Sequence, residues 1–88
     1  MTSGLDAYAK KLVRRAEGIW DNMGLVLEKR EDSITDDHTS ITFRFHHISS
    51  AQASILVASM SEAFRKANIY WKETESGIVI HTEIPPLH

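Results

Sequence analysis

Ile41-Thr42-Phe43-Arg44-Phe45-His46-His47 is the stretch on which the fold turns, because its apolar and polar residues alternate one for one. A period of two is that of a half-buried strand, since successive side chains leave a pleated backbone on opposite sides. Ile41, Phe43, Phe45 and His47 are therefore assigned to the core face, and Thr42, Arg44 and His46 to the other. Upstream, Leu25, Leu27 and Lys29 alternate in the same way with Val26, Glu28 and Arg30. Between the two runs lie Glu31 to His38, polar and rich in turn formers, so an antiparallel hairpin with an acidic tip is predicted.

The period lengthens on either side of this hairpin. Leu5, Tyr8, Ala9, Leu12, Val13, Ala16, Ile19, Trp20 and Met23 recur at steps of three and four, one face of a helix over about residues 4–23. Ser3 with Asp6 is read as its capping box, and Gly24 as its left-handed stop. After the hairpin, Ser49 and Ser50 offer an N-cap. Ala53, Leu56, Val57, Met60, Ala63, Phe64 and Ala67 form the stripe of a second helix, which Asn68 is expected to close. A second hairpin follows: Ile69 to Thr74, a turn at Ser76-Gly77, and Ile78 to Ile84, ended by Pro85.

The order α-β-β-α-β-β predicts an α+β domain in which one four-stranded antiparallel sheet carries both helices on one face. Strand orders 1-2-4-3 and 2-1-3-4 both keep every neighbouring pair antiparallel. The element order is similar to that of small secretion chaperones. One domain is expected over residues 1–88, with 1–3 and 85–88 as loosely ordered tails.

Composition narrows the chemistry. In 88 residues there are no cysteines, which excludes a disulfide framework, a thiolate zinc site and a cysteine nucleophile, and is compatible with a reducing compartment. Met1-Thr2-Ser3-Gly4-Leu5-Asp6 lacks a basic region leading into an apolar run, and no stretch approaches the ~18 apolar residues of a membrane span. A cytoplasmic protein without membrane contact is expected. The nine serines contain no G-x-S-x-G or S-x-x-K arrangement, and the four glycines build no phosphate loop. No catalytic residue and no cofactor are assigned.

Five histidines, 38, 46, 47, 81 and 88, raise the question of a metal. Adjacent His46 and His47 point to opposite faces of a regular strand and cannot chelate together. His46, His81 and Glu83 share the outer face and would form a two-His, one-carboxylate set if their strands were neighbours, although no ligand spacing supports it. The favoured reading leaves the histidines on the surface, with His47 at the edge of the core.

The formal net charge of −2 lacks the footprint of a general nucleic-acid binder, yet it is uneven. Residues 1–30 carry +2 and residues 31–88 carry −4. Arg44, His46, Tyr70, Lys72 and the basic face of the first helix could together take a nucleic acid, one aromatic being fewer than such platforms use. The leading expectation is a non-enzymatic protein-binding module, an inhibitor, adaptor or chaperone-like regulator that could act as a homodimer. Its candidate contacts are the acidic tip with Asp32, Asp36 and Asp37, the outer sheet face, and the outer strip of the second helix with Ile55 and Ala58. A small enzyme or metal site at a dimer interface is the remaining alternative.

Overall fold

Trp20 sits where the two periodicities meet. In the computed structural model its ring lies 5.2 Å from that of Phe43 and 5.0 Å from that of Phe45, both on the strand quoted above. The structure describes residues 7–35 and 38–85. Their elements run α1 (Ala7–Asn22), β1 (Val26–Ile34), β2 (Thr39–His46), α2 (Ser50–Ala63), β3 (Asn68–Thr74) and β4 (Gly77–Ile84). All strand pairs are antiparallel, in the order β1-β2-β4-β3, the first of the two predicted orders.

Both helices lie on one face of the sheet, over a core that includes Leu12, Ala16 and Trp20 from α1, Leu56 and Met60 from α2, and Ile41, Phe43, Ile69 and Ile80 from the strands. Tyr8 closes one end edge-on against Phe64, at 5.6 Å between ring centres. Among the described residues, the opposite face of the sheet carries no helix.

Local signals explain the element ends. Gly24 adopts φ +77°, so Gly24 N–H reaches the Asp21 carbonyl at 3.0 Å and Leu25 N–H reaches the Trp20 carbonyl at 2.9 Å. This paired closure satisfies two carbonyls that the end of α1 would otherwise leave open. The predicted start of α1 at residue 4, with Ser3, Leu5 and Asp6, lies outside the described residues, as do residues 1–3 and 86–88 of the expected tails. Ser49 caps α2 through a reciprocal box: Gln52 N–H donates to Ser49 Oγ, and Ser49 N–H to Gln52 Oε1.

Four expectations require correction. The predicted continuation of the second helix to Asn68 fails, because α2 ends at Ala63 and Asn68 is the first residue of β3. Phe64 leaves the helical conformation there and turns its ring into the core. The turn of the second hairpin is Glu75-Ser76, with Gly77 already in β4 at φ +120° and Thr74 Oγ1 donating to its carbonyl at 2.7 Å. His47, expected at the edge of the core, is exposed and has φ +52°, which ends β2 and turns the chain toward α2. The fourth correction concerns β1, which continues through Ile34, so Glu31 and Asp32 belong to a strand rather than to the hairpin tip.

A β-bulge gives that last correction its consequence. Leu27 pairs with Phe45 but Lys29 pairs with Arg44, so Glu28 is the extra residue. An inserted residue inverts the alternation beyond it. Lys29, which the simple pattern assigns to the core side, therefore moves to the open face. Arg30 and Asp32 move to the helix side, opposite Phe43 and Ile41.

Candidate interaction surfaces

The register of the sheet arranges the open face in rows. One row is Lys29, Arg44, Val79 and Lys72; the next is Glu31, Thr42, His81 and Tyr70; a third is Ser33, Ser40, Glu83 and Asn68. In the first, Val79 is only 4% exposed although, among the described residues, neither helix lies on this face. The aliphatic stems of its cationic neighbours can shield it while their charged ends stay in water. Lys29 also pairs with Glu31 along its own strand, Nζ to Oε2 at 3.1 Å.

His81 is the centre of the second row. Its Nδ1 lies 3.0 Å from Thr42 Oγ1, and its Nε2 lies 3.3 Å from Ser40 Oγ and 3.4 Å from Glu83 Oε2. The Tyr70 ring lies 5.1 Å away at a tilt of 44°. Both ring nitrogens thus face polar partners, which fixes the imidazole as part of the surface. The proposed ligand trio does not assemble. Glu83 is beside His81, but His46 is four residues along β2 from Thr42, the partner of His81, or roughly 14 Å away at ~3.4 Å per residue. Among the described residues no group of three or more His, Asp and Glu side chains could hold a metal.

On the helix side, Arg30 and Asp32 form a two-pronged pair, Nε to Oδ1 and a terminal guanidinium nitrogen to Oδ2, each at 3.2 Å. They line an open groove of about 460 Å³ with Lys10, Val13, Arg14 and Glu17 of α1. Two of the acidic residues assigned to the tip are therefore separated onto opposite faces and each meets a cation. Thr35 N–H donates to the His38 carbonyl at 2.9 Å and closes the hairpin, while Asp36 and Asp37 lie outside the described residues.

The far side of the sheet differs in kind. Of the 14 residues of α2 only Glu62 is charged, against six charged residues among the 16 of α1. Ala53, Leu56 and Met60 face the core, and Ile55 stands 57% exposed, with Ala51 and Ala58 also exposed. Trp71 of β3 is held beneath this helix by its Nε1–H, which donates to Ser54 Oγ at 3.2 Å. The two-residue loop makes Thr74 and Gly77 a hydrogen-bonded pair, so Lys72, Tyr70 and Asn68 also direct their backbone groups toward β4. The N–H and C=O groups of Ile69, Trp71 and Glu73 consequently point outward, and among the described residues β3 has no strand beyond it.

Strand alternation locates Arg44, His46, Tyr70 and Lys72 on the open face, and helical spacing locates Ile55 and Ala58 on the outer side of α2. The unpaired edge of β3 beside α2 was not singled out by sequence, although the run Asn68 to Thr74, free of Pro and Gly, carries the signal once β3 is known to be terminal. No family model, no curated protein and no solved structure matches this chain.

Proposed function

We propose that this chain is a non-enzymatic protein-binding module of the inhibitor, adaptor or chaperone-like kind, working in the cytoplasm by occupying a surface of another macromolecule. The observation that carries this reading is the conjunction of an unpaired β3 edge with an α2 that is almost free of charge and exposes Ile55. A strand edge supplies directional hydrogen bonds, and an adjoining apolar helix face supplies area removed from water. The absence of cysteine is compatible with the compartment. A photo-reactive residue placed at position 55 should cross-link the module to its protein partner, and one placed at position 17, on α1, should not. Ala58→Arg should abolish the cross-link while leaving the circular dichroism spectrum unchanged. Equal cross-linking from both positions would refute the surface.

A second reading, nucleic-acid binding, is favoured by one specific arrangement: Tyr70 lies against His81 in the row next to Lys29, Arg44 and Lys72. The rings would stack bases while the cations meet phosphates. Binding of single-stranded oligonucleotides should then weaken steeply with salt and fall on Tyr70→Ala or Lys72→Ala. Retention of binding in both variants would exclude the open face.

A further inference from the structure

We infer that the occupant of the β3 edge is the β3 edge of a second copy, joined antiparallel about a two-fold axis at Trp71 into a continuous eight-stranded sheet. This rests on the reading of β3 as a pairing edge and assigns that edge to self-association, which leaves exposed Ile55 of α2 for the other macromolecule.

The register follows from the sequence of the strand. Two copies related by a two-fold axis normal to the sheet keep their helices on the same side only when the axis passes through a residue, because facing side chains must share a face. Centring on Trp71 pairs all seven residues, Asn68 with Thr74 of the second copy, Ile69 with Glu73 and Tyr70 with Lys72. The outward groups of Ile69, Trp71 and Glu73 then meet one another, as an antiparallel ladder requires. Centring on Lys72 would oppose two lysines directly, and centring on Tyr70 would leave Glu73 and Thr74 beyond the paired segment. Like charges facing across a ladder destabilise it, whereas Lys72 over the Tyr70 ring is attractive. The strand is thus self-complementary in one register and discouraged in its neighbours.

β1 does not offer the same contact. Its outward backbone groups belong to Arg30, Asp32 and Ile34, its charges turn inward and its bulge twists the ladder, all of which oppose edge pairing. One competent edge closes a dimer; two would extend a filament.

The area sets the strength. Seven residues at ~3.4 Å give an edge about 24 Å long, and the molecule is 17 Å through its smallest extent. That is roughly 400 Å² of each copy, about half of a standard interface. The dimer should therefore be weak and concentration-dependent.

Sedimentation of the intact chain across about 1 µM to 1 mM tests the stoichiometry, with a monomer–dimer transition expected in that range. Over the same range the amides of Ile69, Trp71 and Glu73 should gain at least about tenfold protection from hydrogen exchange, and those of Arg30 and Asp32 should not. Because the chain has no cysteine, single engineered ones report the register. Tyr70→Cys mixed with Lys72→Cys should give a mixed disulfide at least about tenfold above either homodimer, since facing positions lie within disulfide reach and the alternatives do not. Both sites are exposed and outside the core, so folding is retained. A monomer at the highest concentration overturns self-pairing while leaving the cross-link from position 55 to a foreign protein as the separate test of the module. A dimer without the mixed disulfide, or with protection at Arg30 and Asp32, overturns the β3 interface.

Discussion

β1 and β3 both end the sheet with a row of outward backbone groups, but on β1 these belong to a strand with a bulge and an inward ion pair, and on β3 they lie beside a helix with a single charged residue. The difference runs through each side of the molecule. α1 anchors over β2 through Trp20, 3% exposed, and leaves the inner face of β1 as a charged groove. α2 reaches out over β3, where Trp71 is half-buried and held by Ser54. One edge is defended against pairing and the other is prepared for it.

The two tryptophans give the largest expected effect. Trp20→Ala removes the ring that holds α1 to Phe43 and Phe45, and should cost about 3–5 kcal/mol by urea unfolding. A domain of this size has about 4–13 kcal/mol in all, so the variant should be close to unfolding at 37 °C. Trp71→Ala, at the sheet margin, should cost about half as much. Equal losses would mean that β3 is held as firmly as the centre and would weaken the contrast between the two sides.

Converting the defended edge into the other kind is the next test. Arg30→Val with Asp32→Val removes the inward charges of β1, leaving only the bulge against pairing. Association measured by light scattering should strengthen by about tenfold, equivalent to about 1.4 kcal/mol, and should now extend past dimers because both edges are open. Unchanged scattering would show that the bulge alone protects β1.

A buried hydroxyl marks the β3 side in a further way. Thr82 has no exposed surface and its Oγ1 has no hydrogen-bond partner, between Ile41 of β2 and Ile69 of β3. Desolvating an unpaired hydroxyl costs about 1–3 kcal/mol. Thr82→Val, of nearly the same shape, should stabilise the protein by about 1 kcal/mol, raising Tm by about 4–8 °C in calorimetry. A lower Tm would mean that the hydroxyl is satisfied when the domain is in solution.

The elements themselves were legible from periodicity where they bury one face: the order of six segments and the antiparallel sheet follow from apolar spacing, whereas β1, which has no buried residue, was read only as far as Arg30. The positions that escaped are those where spacing stops being regular. The bulge at Glu28 inverts the faces of β1, yet Lys29, Arg30 and Glu31 are all charged and the apolar residue beyond them, Ile34, is exposed, so no buried side chain records the inversion. His47 takes a left-handed conformation without being Gly or Asn, and Phe64 leaves α2 while still supplying its ring to the core, so the helical stripe continues in the sequence beyond the helix. The candidate surfaces divide in the same way. Alternation located Arg44, Tyr70 and Lys72, but the distance of His46 from His81 required the β2–β4 register, which is a long-range property.

The smallest effect separates the two faces of β1. Lys29–Glu31 on the open face has side chains 61% and 65% exposed and a single contact, whereas Arg30–Asp32 in the groove is 38% and 27% exposed and makes two. Exposed pairs are screened by water and must also order two long side chains, so their coupling is usually about 0.2–1 kcal/mol. A two-pronged geometry, partly shielded by Lys10 and Glu17 across the groove, belongs at the upper end. Double-mutant cycles through alanine should give about 0.5–1 kcal/mol for Arg30–Asp32 and about 0.2 kcal/mol for Lys29–Glu31, and salt should erase the second first. If the two couplings are equal, the inward turn of Arg30 and Asp32 contributes nothing to the fold itself, and its whole effect lies in keeping a second strand from adding to β1.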